Sequence, residues 1–446
     1  MALARYVNEG LVYPPLYDGT VFGGTRFMPL QFVLHGGVAR LTGEYLVSGK
    51  LLAYAAAALL LSLTFELARR LSRSTTIALG LVAAILVTPA GLLAATSIRG
   101  DALPVALQLG AVTLAIRPSR RATTAAGLVS AVAILCKSSA LWGPAAIVLW
   151  LSIHERGRLP LFIGGFAGAL GGGLALFESL SSGRMSENII GLSSAGLDGP
   201  LSIVQDGSHK FVSYAERYAN AMWLLIPLAL VGLLIALVRR RPTVYHFCFL
   251  VALPLVIAEL ADTGVSWNHL IDIEVLTAIL VAELCGSATE GRPLAEAVVL
   301  VTLIWGIGTA FQLQERHDVA DAARALVGRS SKYEPRPLAE ELEGSNAILS
   351  EDPYIPVSLN QDPIVLDPFM LLRTLRDHPQ WSADLLRKIE RHRFTSIVLV
   401  RRLDPADRWW RDYHFGSRVA KAVANNYRLE RQTGRYWVYS PNSASP

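Results

Sequence analysis

The chain has 446 residues, of which 52% are hydrophobic and 17% charged, against roughly 25% charged residues in soluble domains. That balance excludes an ordinary water-soluble globule and indicates a polytopic membrane protein. The formal net charge of +5 is carried by Arg clusters at the ends of apolar runs, so it reports topology and not a nucleic-acid-binding surface.

Residues 1–45 hold no apolar run of the ~18–20 residues that cross a bilayer and no signal peptide. The first long apolar segment, Leu46–Leu67, ends in Arg69, Arg70 and Arg73. Basic flanks favour the cytoplasm, so this span runs from outside to inside and residues 1–45 lie outside. The expectation is that the chain starts late, after an upstream helix. The segments that follow are Thr75–Ile98, Asp101–Ile116, Ala122–Cys136, Ser139–Ile153, Pro160–Phe177, Asn220–Val238, Val244–Ala261, Leu270–Cys285 and Leu294–Leu313, about ten in all with the first. Several are shorter than ~20 residues, as half-helices would be. If the segments alternate, the inside loops carry Arg69, Arg70, Arg73, Arg117, Arg120, Arg121, Arg156, Arg158, Arg239, Arg240, Arg241 and Arg292. The short outside connections carry only Arg99 and Lys137, and the longer outside loop from Glu178 to Ala219 carries Arg184, Lys210 and Arg217. This is the positive-inside pattern.

The Gly171–Gly173 run lies inside an apolar segment and is read as a close helix-packing site. Cys136, Cys248 and Cys285 stand in or beside apolar segments without a CxxC or Cys/His cluster, which argues against a disulfide framework or a zinc site. From Gln314 onward charge rises and apolar runs shorten. Ala347–Leu349, Ile364–Leu366 and Ser396–Val400 read as strands, Phe369–Arg376, Ser382–Arg391 and Arg411–Asn425 as amphipathic helices, and Tyr427–Arg431 with Tyr436–Tyr439 as a closing hairpin. The expected fold class is an α-helical polytopic membrane protein with a small extracytoplasmic α/β domain at the C-terminus: an outer segment 1–45, a transmembrane domain 46–313 and a soluble domain 314–446.

Ionisable groups in apolar segments are functional candidates by default. Here they collect at the outer ends: Arg99 and Asp101 around Gly100, Lys137 before two serines, Asn268 and His269 after Trp267, with Asp272 and Glu274 just inside. The outer N-terminal stretch adds Glu9, Tyr13, Tyr17, Asp18 and Arg26. A cationic rim at that level suits a lipid-linked phosphate, and a nearby carboxylate suits a general base. Each has a structural alternative. Arg99 and Asp101 can pair with each other and cap two helices, Lys137 can snorkel, His269 can belong to an interfacial belt, and Glu9 and Asp18 can be ordinary loop carboxylates.

Several of these pieces together resemble one family pattern. Tyr13-Pro14-Pro15-Leu16-Tyr17 and Arg26-Phe27-Met28-Pro29-Leu30 resemble the segment after the first outer loop of the polytopic GT-C glycosyltransferases, the protein-mannosyltransferase-like and lipid-A-sugar-transferase-like enzymes. Arg99-Gly100-Asp101-Ala102-Leu103 is similar to their Arg-x-Asp-x-Leu element, Leu135 through Ala140 to their Lys-containing turn, and Gly264 through Leu270 to their late outer-loop element. Ser350-Glu351-Asp352-Pro353 through Asp367-Pro368-Phe369 resembles their outer soluble domain. The resemblance implies sugar transfer from a polyprenyl-phosphate donor, by inverting displacement, to a lipid, glycan or protein acceptor at the outer face of the cell membrane. It does not assign the base: Glu9 and Asp18, the local carboxylates, and Asp101, which would orient Arg99, are the candidate catalytic carboxylates, and Arg99, Lys137, Asn268, His269, Tyr17 and Arg26 are the candidate donor- or phosphate-binding residues. The family's usual acid lies in the first outer loop, which the start of this chain resembles only at its end. No cofactor is indicated and divalent-metal assistance is left open. The competing reading is a lipid transporter or flippase, suited by Asp272 and Glu274 in broken helices. A third is a structural protein whose outer domain binds a partner.

Overall fold

The computed structural model describes residues 1–193, 200–217, 221–262, 264–287, 292–312 and 335–442. Two short helices, α1 (Ala2–Asn8) and α2 (Pro29–Thr42), precede the helical body. The body comprises α3 (Tyr45–Ser72), α4 (Thr75–Leu86), α5 (Pro89–Thr96), α6 (Ala102–Ala115), α7 (Arg120–Cys136), α8 (Trp142–His154), α9 (Leu159–Leu180), α10 (Arg184–Ser193), α11 (Pro200–Arg217), α12 (Ala221–Val238), α13 (Val244–Ala261), α14 (Leu270–Ser287) and α15 (Arg292–Gln312). Every apolar segment read from the sequence is therefore helical over most of its described residues, Asn220 and Leu313 lying outside them. By length and composition three helices, Tyr45–Ser72, Arg156–Leu180 and Val244–Ala261, are able to cross a membrane, or four if the bent α4–α5 pair is one span. Ala102–Ala115, Trp142–His154, Leu224–Val238 and Glu296–Gly308 are shorter apolar helices.

Three local readings change in three dimensions. Thr75–Ile98, read as one segment, bends by 80° between α4 and α5. Thr88 caps α5 by accepting from Gly91 N at 2.9 Å, with Pro89 at the first helical position. A capping Thr followed by Pro starts a new helix because proline has no N–H to continue the old one. The stretch from Glu178 to Ala219, read from the sequence as an outer loop, contains two helices among its described residues, α10 and α11, with an exposed Val204 and Val212 on the second. Ile364–Leu366 joins no sheet. Phe22 N donates to Ile364 O at 2.7 Å and Leu366 N to Phe22 O at 2.9 Å, so this stretch pairs with the N-terminal segment instead.

Helix α14 is the hub. It is buried nearly all round, from Leu270 to Ala282 without interruption, and packs on α3, α4, α12 and α13. Close approach rests on glycine at defined points. A Cβ on Gly286 would fall 1.9 Å from Leu71 O, and one on Gly127 would fall 2.4 Å from Phe162 O, where α7 meets α9. In the glycine run, Gly173 faces Leu135 at 2.5 Å while Gly171 and Gly172 face open space. The packing role expected of that run therefore falls on one of its three members. Gly207 sets α11 against α13, since a Cβ there would lie 1.9 Å from Ile257 O. Gly207→Ala is expected to lower the thermal midpoint of the detergent-solubilised protein, by roughly 1–3 kcal/mol of overpacking. Gly172→Ala should leave the midpoint unchanged or raise it slightly, because alanine favours a helix by up to ~1 kcal/mol over glycine.

Large apolar side chains stay exposed along the helical body, among them Leu79, Ile153, Leu234, Val238 and Val301. Among the described residues from 335 onward, Leu429 is the one such side chain. This contrast sets the helical body, whose apolar surface suits a bilayer, apart from the tail. The tail contains α16 (Arg336–Glu341), β1 (Ile348–Ser350), α17 (Tyr354–Ser358), α18 (Pro368–Asp377), α19 (Pro379–Glu390), β2 (Ser396–Leu399), α20 (Ser417–Asn426), β3 (Tyr427–Thr433) and β4 (Tyr436–Pro441). The sheet order is β1-β2-β4-β3, with β1 parallel to β2 and the other pairs antiparallel. The expected Arg411–Asn425 helix is shorter. Trp409–Tyr413 forms a π-helical turn, and Gly416 at φ +83° breaks the chain before α20. Residues 1–45 pack on this tail: Phe22 enters its main core beside Leu371 and Trp410, and Tyr6 packs with Val357 and Leu366.

Candidate active site

Ends of α5, α6, α7, α8, α13 and α14 converge where the sequence clusters its polar groups. Gly100 at φ +78° turns the chain from α5 into α6, and its bare Cα lets the Gln31 side chain of α2 sit where a Cβ would be, at 2.3 Å. Asp101 follows at the start of α6 and is buried. Lys137 closes α7 in extended conformation and points its ammonium back to Asp101, with Nζ donating to Oδ1 at 2.9 Å. Asn268 lies in a single 3-10 turn, Trp267–His269, ahead of α14 and donates to the same Oδ1 from Nδ2 at 3.1 Å. Asp101 Oδ2 is sealed from solvent and takes no hydrogen bond.

Around this core stand two further pairs. His269 Nδ1 is 2.5 Å from Glu259 Oε2 in the last turn of α13. Trp142 Nε1, at the start of α8, donates to Asp272 Oδ1 at 2.6 Å. Deeper along α14, Glu274 Oε2 accepts from Thr88 Oγ1 at 2.7 Å, which ties the α4–α5 bend to the hub helix. Burial penalises the Lys137 ammonium, but the carboxylates of Asp101, Asp272 and Glu259 outweigh that penalty and raise its pKa. It is a permanent cation held in a ring of acids.

The opposite ends of the helices carry the Arg clusters. Arg158 bonds the carbonyls of Arg117 and, at 2.7 Å, Ala115, and Arg69 and Arg70 pair with Glu66. The basic loops and the Asp101 cluster thus sit at opposite ends of the bundle.

A second polar cluster joins the helical body to the tail. Asp262, just past α13, accepts from Arg26 Nη1 at 2.7 Å and from Arg373 Nη2 of α18 at 3.1 Å. Both guanidiniums lie over the Phe369 ring, at 5.2 Å and 4.7 Å. Lys210 donates to the Asp262 carbonyl at 2.7 Å. Burial opposes ionisation of Asp262, yet the charges of Arg26 and Arg373 and the N–H of Gly264 together hold its carboxyl below the usual range.

Of the residues singled out from the sequence, Asp101, Lys137, Asn268 and His269 come together. Asp101 pairs with Lys137 and not with Arg99, so its expected role of orienting Arg99 is replaced by one of holding the lysine. Arg99 is exposed, one residue past the α5 end loop, and has no ion-pair partner among the described residues. Arg26 belongs to the second cluster. The other three stand apart from both clusters and have local explanations. Glu9 pairs with Arg5 at 2.7 Å on α1. Asp18 Oδ1 accepts from Thr20 N, Thr20 Oγ1 and Val21 N, a closed turn. Tyr17 stacks on Phe22 and donates to Asp384 of α19, inside the tail. Sequence reading missed Glu259 and Asp262, although two acids at the end of an otherwise apolar helix were a legible signal.

No protein-family model and no curated protein sequence matches the chain. Solved structures do. The crystal structure of ArnT from Cupriavidus metallidurans bound to undecaprenyl phosphate is similar at a TM-score of 0.58 and 12% identity, covering 99% of this chain and 93% of that one. The apo state of the same protein is similar at 0.54. The Archaeoglobus fulgidus oligosaccharyltransferase, in complex with Zn and sulfate, is similar at 0.50 and 12% identity, covering 99% of this chain and 68% of that one. Among the described residues no group of three or more His, Cys, Asp or Glu is arranged to hold a metal ion. The donor set does not suit a dication either, because Asp101 is already charge-paired with an ammonium 2.9 Å away. The chain has the fold of the GT-C polytopic membrane glycosyltransferases.

Proposed function

We propose that the chain is a GT-C-type membrane glycosyltransferase. It transfers a sugar from a polyprenyl-phosphate-linked donor to an acceptor hydroxyl of a lipid, glycan or protein on the extracytoplasmic face of the cell membrane. One observation carries this reading: a cation anchored by Asp101, itself held by Asn268, at the polar end of the bundle, in a fold that in ArnT holds undecaprenyl phosphate. Lys137 has three N–H donors and spends one on Asp101, so two remain for a phosphate. Arg99 beside it supplies a guanidinium free to swing onto the same group. In an inverting displacement the acceptor oxygen attacks the anomeric carbon and polyprenyl phosphate leaves. The two cations neutralise the charge that develops on the leaving oxygen. The fold is read with residues 46–313 as the membrane domain of about ten apolar segments and 314–446 as an outer α/β domain. Arg26–Asp262–Arg373 supports that side for the tail, since it joins the tail to the same bundle end as Lys137.

The transporter reading drew on Asp272 and Glu274. Each accepts from one neighbouring side chain, Trp142 or Thr88, and links two helices, which a packing role accounts for.

The test is turnover of radiolabelled polyprenyl-phosphate pentoses and hexoses by the purified protein, with a total membrane extract as acceptor. Release of polyprenyl phosphate coupled to labelled product is the expected result. Lipid movement between leaflets without bond cleavage would favour the transporter. Arg99→Ala, an exposed change with no partner to orphan, is expected to cut kcat/KM by roughly 100-fold with an unchanged thermal midpoint. A wild-type rate in that variant removes Arg99 from the site.

A further inference from the structure

We propose that Arg373 of the tail is a positioning residue for the Asp101–Lys137 pair, acting through Asp262 and the strap Gly264–Asn268. This rests on the glycosyl-transfer reading above. The two polar clusters at this end of the bundle are joined by a short piece of chain. At its start, Gly264 N donates to Asp262 Oδ1 at 2.8 Å, and the same oxygen accepts from Arg373 Nη2 at 3.1 Å. Gly264 is pressed against the clamp: a Cβ there would fall 2.4 Å from Arg26 Nη2 and 2.6 Å from the Phe369 ring. At its end, four positions on, Asn268 donates to Asp101 Oδ1, the oxygen that holds the Lys137 ammonium.

The strap has little slack. Four residues reach at most about 14 Å when fully extended, and this stretch finishes in a 3-10 turn that shortens it. Val265 and Trp267 pack on the core of the helical body. Val265 N donates to Asp262 O at 3.2 Å, a carbonyl that Lys210 of α11 also holds, and His269 N donates to Ser266 O at 3.3 Å. A second tether runs from the same clamp. Arg26 stands three positions before α2, and Gln31 of that helix lies against Gly100, the chain neighbour of Asp101.

The tail is the part that sets this arrangement. Arg373 is buried, and a buried guanidinium parted from its carboxylate is costly. One seating of α18 therefore satisfies both Arg373 and Asp262, and that seating fixes Gly264. At the far end the requirement is strict, because the Lys137 ammonium has to meet the charge that develops on the leaving phosphate. A misplacement of about 1 Å by a change far from the chemistry costs up to about 100-fold. The coupling passes through contiguous, packed contacts.

The experiment uses the full chain and the labelled polyprenyl-phosphate sugars named above. Arg373→Gln is expected to lower kcat by roughly 10- to 100-fold with a smaller change in donor KM. Arg373→Lys, which can remake the single bond to Asp262 Oδ1, should restore most of the rate. In an Asn268→Ala background, where the strap no longer reaches Asp101, Arg373→Gln should cost little more. Arg5→Gln serves as the control. It breaks a different tie to the tail, from Arg5 to the Gln361 carbonyl, and should speed trypsin release of the tail while leaving kcat unchanged. A second readout needs no turnover: hydrogen exchange in the peptide covering Gly264–His269 should be roughly threefold or more faster in Arg373→Gln and unchanged in Arg5→Gln. Full additivity of Arg373→Gln with Asn268→Ala, or an equal fall of kcat in Arg5→Gln, overturns the strap and leaves glycosyl transfer standing. Absence of turnover in the wild type overturns the transfer reading. The exchange measurement then decides the strap by itself, and an unchanged rate in Arg373→Gln overturns it.

Discussion

Lys137→Met is expected to reduce sugar transfer below detection and to destabilise the protein. Two effects add. The variant removes the cation that faces the leaving phosphate, worth about 100- to 1,000-fold where a single preorganised donor is lost. It also leaves Asp101 without its counter-charge in a buried site where one carboxylate oxygen already has no partner. Breaking a buried pair by removing one member costs roughly 3–5 kcal/mol. The two effects separate in the double variant Lys137→Met/Asp101→Asn. Removing the orphaned charge should recover most of the thermal midpoint in detergent, while the rate stays lost. Recovery of rate together with stability would show that Lys137 acts through the fold alone. Lys137→Arg is not a neutral swap, because a planar fork does not replace a compact ammonium at 2.9 Å from one carboxylate oxygen.

Asp262→Ala is expected to loosen the tail from the helical body. Asp262 pairs with both Arg26 and Arg373, and both guanidiniums stack on Phe369. Without it the two guanidiniums over that ring lose the counter-ion they share. Hydrogen bonds to charged groups contribute roughly 1.5–3 kcal/mol each, so the loss should be of that order. Limited trypsin digestion should release the tail faster, with the thermal midpoint falling in parallel. Arg26→Ala should cost less, since Asp262 keeps Arg373. The contact also titrates. The Asp262 carboxyl is held below its ordinary value of 3.8 in the folded protein. Its stabilisation is therefore present above pH 3.8 and is lost as pH falls through the lower folded value. Protection of the tail in Asp262→Ala should then become independent of acidification over that window, whereas the wild type should weaken. Equal digestion of both proteins at neutral pH would remove Asp262 from the junction.

The architecture was legible wherever apolar length and charge sidedness decided it. Each apolar segment became helical over most of its described residues, Thr75–Ile98 as a bent pair, and the hairpin Tyr427–Thr433/Tyr436–Pro441 formed where Thr433-Gly434 announced it. The Thr88-Pro89 bend was written in the sequence as a cap and a first-turn proline, and a reading by hydropathy alone passed over it. The helices within Glu178–Ala219 were hidden because their amphipathic pattern carries too little mean hydropathy to stand out beside membrane segments.

The site was legible as a set of residues and not as a set of contacts. Arg99, Asp101, Lys137, Asn268 and His269 were recognisable as outer-end polar groups because ionisable side chains in apolar runs are costly. Which of them pair was decided by helix packing. The α7 end brings Lys137 to Asp101, 36 positions earlier, and the turn before α14 brings Asn268 to it from 167 positions away. Such long-range meetings depend on where gaps between helices are closed by glycine, and sequence spacing does not encode that. The same holds for Phe22 beside Ile364 and for Arg26 on Asp262. Local composition determined that this chain is a bundle of membrane helices with a polar tail and a polar end. Only the tertiary structure decided which charges neutralise one another there, because a buried ion pair is chosen by three-dimensional proximity in a low-dielectric interior and not by order along the chain.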